Sequence, residues 1–132
     1  MFIDRLLNGG SAPLLEQVVQ FAAERHKLIA EDIANVDTPG FRQKDLSVER
    51  FQTILRDRVA RRSSGEGQSR FDGVRSEVEN PVQSILFHDQ NNRSMEQLAS
   101  DLAKNAMMHN LAIELLRKQY AMMEMALKER VT

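Results

Sequence analysis

The chain has 132 residues, of which 42% are hydrophobic and 28% charged, and its formal net charge is −1. This composition suits one folded domain, and the near-neutral charge gives no reason to expect nucleic acid or an anionic membrane as a partner. Cysteine is absent, which excludes disulfides, cysteine-bound metals and a thiol nucleophile. Few aromatic residues and seven methionines favour helices over sheets.

The first predicted element is an amphipathic helix over residues 14–36, with Pro13 in its first turn and Ser11 as a candidate cap. Apolar residues recur three, four and seven positions apart, as on one helix face: Leu15, Val18, Val19, Ala22, Ile29, Ile33 and Val36. Charged residues are expected on the outer faces: Glu24, Arg25, Lys27, Glu31 and Asp32. No basic region with a long apolar run opens the sequence, so no cleaved secretory signal is expected.

This helix runs into the stretch ANVDTPGF, which predicts a corner. Asn35 can end a helix in the left-handed region. Thr38 precedes a proline and is expected to be extended. Pro39 and Gly40 suit the central positions of a type II turn, in which the glycine takes positive φ. The turn is expected to place Phe41 back against the end of the helix.

The middle segment, residues 42–93, has weaker patterns. Residues 45–59 predict a short helix, and residues 58–73 are rich in Ser, Gly and Arg, which indicates a flexible loop over about 60–80. The basic run RDRVARR, residues 56–62, is interpreted as a solvated linker or a contact patch. Residues 85–87 are expected to be extended or to form a brief strand.

The C-terminal segment, residues 94–132, has the strongest pattern in the chain. Ser94 and Gln97 match a capping box ahead of a heptad seam: Ala99, Leu102, Ala106, His109, Ile113, Leu116, Tyr120, Met123 and Leu127. A helix over residues 95–128 would be roughly 50 Å long, which is long for a single compact domain of this size. A second apolar stripe is predicted on the same helix: Met108, Leu111, Leu115, Met122 and Met125.

The two stripes favour assembly into a larger structure, because one partner helix covers one seam. A bundle closed by the segment 46–59 is the alternative. The chain is then one domain in three parts, which are the N-terminal helix and corner (1–41), the middle segment (42–93) and the C-terminal helix (94–132).

No residue pattern predicts catalysis or a cofactor. His26 and His109 lie on or beside apolar stripes, where packing is the ordinary role. His88 and Asp89 form a faint metal or base pair, but no spaced ligands surround them, and a turn before the last helix is the better interpretation. The phosphate-binding and nucleophile motifs are missing. The protein is therefore expected not to be an enzyme and to have no small-molecule substrate.

The stretch EDIANVDTPGF resembles the motif that opens the bacterial flagellar axial proteins of the rod, the hook and the hook–filament junction. Six residues fit that pattern directly: Ile33, Ala34, Asn35, Thr38, Pro39 and Gly40. Asp32 stands where asparagine is usual, and Phe41 stands where tyrosine is usual. The following RQKDLSVERF and the DQNN before the last helix resemble the proximal rod family, FlgB, with Gln90 in place of a usual glycine.

This resemblance implies an all-α subunit whose N- and C-terminal helices pair as a coiled-coil-like unit and pack into the tube of the basal-body rod. It implies an assembly corner at Ile29, Ile33, Asn35, Thr38, Pro39, Gly40 and Phe41. It also implies an assembly seam at Leu102, Ile113, Leu116, Tyr120, Met123 and Leu127. The implied partners are further copies of the chain, other rod subunits, the base-plate ring adaptor and the flagellar type III export apparatus, which delivers the subunit to the periplasm without a cleaved signal.

Two other classes remain open. One is a cytoplasmic helical adaptor or chaperone-like module that uses the Met-rich stripe as a binding groove. The other is a metal-dependent enzyme built around His88 and Asp89.

Overall fold

The computed structural model describes residues 10–63, 86–88 and 93–131. Within them the chain forms three helices and a two-stranded sheet, in this order: α1 (Ala12–Ala34), β1 (Lys44–Leu46), α2 (Val48–Ser63), β2 (Leu86–His88) and α3 (Met95–Val131). The predicted all-α class is confirmed, and the N-terminal and C-terminal helices pack against each other as predicted.

The N-terminal end of α1 is set by local chemistry. Pro13 lies in the first turn, as predicted, whereas the Ser11 side chain makes no capping hydrogen bond. The backbone carbonyl of Ser11 accepts the first helical bond instead, from Leu15 N at 2.9 Å. On the outer face Lys27 donates to Glu24 at 2.9 Å, an exposed pair one turn apart that adds little stability.

The short sheet joins the segments that flank α2. β1 and β2 are antiparallel, with Lys44 opposite His88 and Leu46 opposite Leu86. The extended stretch predicted over 85–87 is therefore confirmed with a shift of one residue. The turn predicted at His88 is wrong, because backbone pairing with Lys44 holds His88 in the strand, while Asp89 lies outside the described residues.

α2 confirms the predicted short helix from Val48 to Val59 and extends beyond it to Ser63, whereas residues 45 and 46, which were predicted to be helical, lie in β1. Residues 60–63 are helical, although they were assigned to the flexible loop; the rest of that loop lies outside the described residues. Arginine and alanine are good helix formers, and Arg61 donates to Asp57 one turn earlier at 3.0 Å. These preferences favour a helix beyond residue 59, and α2 ends at Ser63.

The apolar core lies between α1, β1 and α2. Its buried residues are Phe21, Leu46 and Phe51. The Phe21 and Phe51 rings stack with their centroids 4.0 Å apart and their planes within 6°. Partly buried side chains surround them: Leu14, Val18, Leu28, Val48, Ile54 and Leu55. The segment 46–59 therefore packs against one face of α1, as the bundle alternative requires. The core cluster at this contact contains no residue of α3.

α1 and α3 run antiparallel and make a different kind of interface. Leu98, Asn105 and Ala112 are the buried residues of α3, and they recur at intervals of seven. Asn105 Nδ2 donates to the carbonyl of Ala22 in α1 at 2.7 Å. Because Ala22 has a small side chain, its backbone carbonyl can be reached from α3. The hydrogen bond from Asn105 therefore helps to fix how the two helices are aligned along their length.

Replacing Asn105 by Ala is expected to lower the free energy of unfolding by about 1–2 kcal/mol, because a buried hydrogen bond and its packing are lost. Asn110→Ala is the matched control, since Asn110 is exposed on the same helix. Urea unfolding followed by circular dichroism measures both. Equal unfolding midpoints for the two variants would show that the Asn105–Ala22 bond contributes nothing.

Candidate assembly surfaces

The corner after α1 is a hydrogen-bonded turn. Phe41 N donates to Thr38 O at 3.3 Å, which encloses Pro39 and Gly40, and Gly40 has φ +76°. The positive φ predicted for this glycine is therefore confirmed. A Cβ built on Gly40 would meet no atom within 4 Å, so the backbone conformation, and not crowding, requires glycine here.

The left-handed conformation predicted for Asn35 is wrong, because its φ is −110°. The side chain caps the helix instead. Asn35 Nδ2 donates to Glu31 O at 2.9 Å, and Asn35 Oδ1 accepts a hydrogen bond from Thr38 Oγ1 at 3.3 Å. Thr38 N also donates to Asn35 O at 3.0 Å. These bonds satisfy the helix end without an inversion of φ.

The residues of the predicted corner divide into exposed and packed groups. Thr38, Pro39 and Gly40 are exposed, and Phe41 is half-buried. Further back, Ile29 is fully buried, while Ile33 and Asn35 are half-buried. The tip of the turn therefore projects from the molecule, and Ile29 belongs to the packing of the subunit itself. Contact of the tip with a neighbouring subunit stays a prediction.

Beside the corner lies a cluster of charged side chains that sequence reasoning missed, here called the Arg93 clasp: Arg25, Asp32, Asp45, Arg93 and Asp101. Arg93 Nη1 donates to Asp45 Oδ2 at 3.0 Å and to Asp101 Oδ2 at 2.7 Å, and its Nη2 donates to Asp32 Oδ2 at 3.3 Å. Arg25 binds both oxygens of Asp45, at 2.8 and 3.1 Å. One guanidinium thus joins α1, β1 and α3.

Backbone groups complete the clasp. Gln43 Oε1 accepts from Arg93 N at 2.8 Å, and Gln43 Nε2 donates to Arg93 O at 3.0 Å. Asp32 Oδ1 accepts from Lys44 N at 3.1 Å. Arg25 and Asp32 were predicted on the outer face of α1, and this is wrong: Asp32 is 1% exposed. Its carboxylate fits a position between a backbone N–H and a guanidinium.

The clasp has three carboxylates and two guanidinium groups, and Asp32 is the carboxylate with the longest ionic contact. Burial raises the pKa of Asp32, and the Lys44 N–H and the Arg93 charge offset this in part. A raised pKa means that the folded state binds the proton more tightly than the unfolded state. The contribution of Asp32 to stability is therefore full below its ordinary pKa of 3.8 and is lost as pH rises through the raised value.

The seam predicted on α3 lies mostly beside the interface with α1. Six of its nine members are half-buried: Leu102, Ala106, His109, Ile113, Leu116 and Met123. The exposed members are Ala99, Tyr120 and Leu127. The buried residues of α3 are Leu98, Asn105 and Ala112. Each of them comes one position before a member of the predicted seam. Asn105 is polar and Ala112 is less apolar than Ile113, so a hydropathy pattern favoured the line one position further on.

Tyr120 makes a polar contact and not a core contact. Its hydroxyl donates to the Glu16 carboxylate of α1. That hydrogen bond, with partial burial and the negative charge of Glu16, raises the pKa of Tyr120 to about 12. The neutral tyrosine is thus the form that the folded state favours, and its contribution to stability is lost as pH rises through about 12.

The opposite side of α3 carries large apolar side chains in solvent, here called the outer stripe: Met107, Leu111, Leu115, Met122 and Met125. Met107 is 72% exposed and Leu111 is 62% exposed. At 3.6 residues per turn the five positions fall within about 80° around the helix axis. The second stripe predicted from sequence is thus exposed, except that Met108 is half-buried and Met107 takes its place.

Two ion pairs within the chain lie beside the outer stripe. Glu114 accepts from Arg117 at 2.8 Å, and Glu124 accepts from Lys128 at 2.7 Å. The Lys128 partner lowers the pKa of Glu124. Each of these pairs joins a negative and a positive side chain, so the two pairs add no net charge beside the stripe.

Other kinds of site find little support in the described part of the chain. No group of three or more candidate ligands there could hold a metal ion, His26 is exposed and His109 is half-buried. None of the helices in residues 10–63 and 93–131 combines the length and the hydropathy that a membrane crossing needs.

No family model, no curated protein and no solved structure matches the chain. The family resemblance therefore rests on the stretch EDIANVDTPGF, on the RQKDLSVERF that follows it and on the DQNN before the last helix.

Proposed function

We propose that this protein is a non-enzymatic structural subunit of the bacterial flagellar basal-body rod, of the proximal rod family. The observation that supports this most is the outer stripe of α3. From Met107 to Met125 it extends about 27 Å along the helix, interrupted on the same side by Lys118, and monomeric proteins rarely leave so many large apolar side chains in water along one helix face. A neighbouring subunit that packs along the stripe would remove it from solvent.

The rest of the structure suits a mechanical role. α1 and α3 form a paired unit, and the Arg93 clasp ties this pair to the strand that follows the corner. Force applied to one helix would pass to the other through ionic and hydrogen-bonded contacts as well as apolar packing. In the proposal the paired helices enclose the export channel and transmit torque, and motility requires them.

The proposed partners are further copies of the chain, other rod subunits and the base-plate ring adaptor, in the periplasm. Export would occur through the flagellar type III apparatus. These partners follow from the family resemblance, while the stripe and the projecting corner supply two surfaces that they could occupy.

A binding module is the second candidate, and the methionines of the outer stripe favour it. Flexible thioether side chains adapt to partners of different shape, as in a helical adaptor. A monomer that stays compact at all concentrations and remains in the cytoplasm would support this candidate against the rod subunit.

Replacing Leu111 by Asp tests the role of the stripe. The variant is expected to fold normally, because Leu111 is mostly exposed, and to enter rods several-fold less well, because a charge would be buried at the contact. Asn110→Asp adds the same charge one position away, off the stripe, and is the matched control. Swimming assays and immunoblots of isolated basal bodies measure the effect. Equal incorporation of both variants would contradict packing through the stripe.

A further inference from the structure

The methionines of α3 form two groups that differ in exposure. Five of the seven methionines lie between residues 107 and 125. Met95, Met107, Met122 and Met125 are 47%, 72%, 46% and 57% exposed, and the last three belong to the outer stripe. Met108 and Met123 are half-buried, and the Met123 methyl group lies near Gly10, just before α1. Two adjacent pairs, 107–108 and 122–123, thus each contain one exposed and one half-buried methionine.

We infer that the outer stripe is a site of methionine oxidation by hydroperoxides, and that sulfoxide formation at Met107, Met122 and Met125 prevents the free subunit from assembling. Exposure governs the rate at which a thioether meets the oxidant. The chain has no cysteine, so no thiol of its own competes for the peroxide.

The reaction with hydrogen peroxide is a two-electron oxygen transfer. The methionine sulfur attacks one peroxide oxygen, so an S–O bond forms while the O–O bond breaks. The departing hydroxide takes the proton from the oxygen now bound to sulfur and leaves as water. The sulfur is oxidised to the sulfoxide and the peroxide is reduced.

The product changes the surface at which it forms. A sulfoxide is polar and accepts hydrogen bonds, whereas the thioether is apolar. Oxidation would convert three of the five side chains of the outer stripe, and burial of the new oxygens without partners would be unfavourable. This consequence for assembly rests on the proposed function, but the selectivity of oxidation depends only on exposure.

Site-resolved oxidation rates test the selectivity. The full chain is treated with hydrogen peroxide, folded or in urea, and then digested with trypsin. One peptide, residues 105–117, carries Met107 and Met108, and another, residues 119–128, carries the other three. Tandem mass spectrometry should show several-fold faster oxidation of Met107 than Met108 and of Met122 than Met123. This difference should disappear in urea, and equal rates within both pairs in the folded protein would overturn the inference.

Self-association of the oxidised protein tests the consequence. The triple variant Met107→Leu, Met122→Leu and Met125→Leu keeps the stripe apolar but cannot form sulfoxides there, while Met95 remains as a shared background. Peroxide should reduce concentration-dependent association of the native chain several-fold, measured by sedimentation velocity, and leave the variant unchanged. Undiminished association of the fully oxidised native chain would overturn the regulatory effect. If neither protein associates before oxidation, the proposed function and the effect on assembly are both contradicted. The selectivity of oxidation is then judged from the site-resolved oxidation rates alone.

Discussion

Replacing Arg93 by Met is expected to lower the free energy of unfolding by about 3–5 kcal/mol, the range measured when one partner of a buried ion pair is removed. The native side chain contacts Asp32, Asp45 and Asp101. Methionine occupies a similar volume but leaves Asp32 without an ionic partner in a buried position. The loss therefore comes from uncompensated charge more than from lost packing, and urea unfolding at pH 7 would measure it.

The pH dependence of this variant separates charge from packing. Burial raises the pKa of Asp32, and its protonation removes the uncompensated charge, so the difference in stability between the native chain and Arg93→Met should shrink as pH falls from 7 to 4. Arg117→Met is the control, because Arg117 and Glu114 are both exposed and such pairs contribute little. A difference of similar size at both pH values would mean that the clasp does not stabilise the fold by charge pairing.

Replacing Gly40 by Val is expected to abolish rod assembly and motility. A β-branched residue strongly resists the φ of +76° observed at this position. The surrounding space is open, so the effect would come from redirection of the corner, at a strain cost of about 1–3 kcal/mol. The helix pair itself should still form. Swimming assays report the function, and circular dichroism of the purified variant reports the fold.

Gly40→Asn is the informative control for the corner, because asparagine tolerates positive φ better than β-branched residues do. It should retain much more motility than Gly40→Val while adding a side chain of comparable size. Normal swimming of the Gly40→Val variant would show that the corner is not part of the assembly surface. Equal loss in both variants would show that the open space at Gly40, and not its conformation, is what a partner requires.

Local chemistry made several elements predictable. The capping box is confirmed, with Ser94 N donating to Gln97 Oε1 at 3.2 Å and Gln97 N donating to Ser94 Oγ at 3.3 Å. The proline–glycine turn depends on the conformational limits of two residues and needs no tertiary information. The long last helix follows from good helix formers and the absence of Gly and Pro within it.

Long-range pairing explains what the sequence pattern missed. Gln43 and Arg93 are fifty residues apart, and their hydrogen bonds depend on how β1 meets the start of α3. Arg25 and Asp32 resemble ordinary surface charges in a helical pattern, because a hydropathy pattern cannot show that opposite charges meet across the fold. The α3 interface was displaced by one position for a related reason, since Asn105 is buried for its hydrogen bond to Ala22.

The side of α3 on which the outer stripe lies was predictable from the sequence, but what covers the stripe was not. Periodicity placed most of its members on one side of α3, and their exposure follows because α2 packs over α1 instead. Whether a rod neighbour covers this surface depends on the other chains present, which one sequence does not contain.

Location is the most direct test of the proposed rod subunit. A strain with an epitope-tagged, functional copy of the chain would be lysed, and basal bodies would be extracted with detergent and purified away from soluble protein. The chain is expected to co-purify with them, at the base of the rod next to the membrane ring, and the Leu111→Asp variant should be depleted from the same fraction. Recovery of the native chain only as a soluble cytoplasmic monomer, in cells whose rods are complete without it, would contradict the proposal.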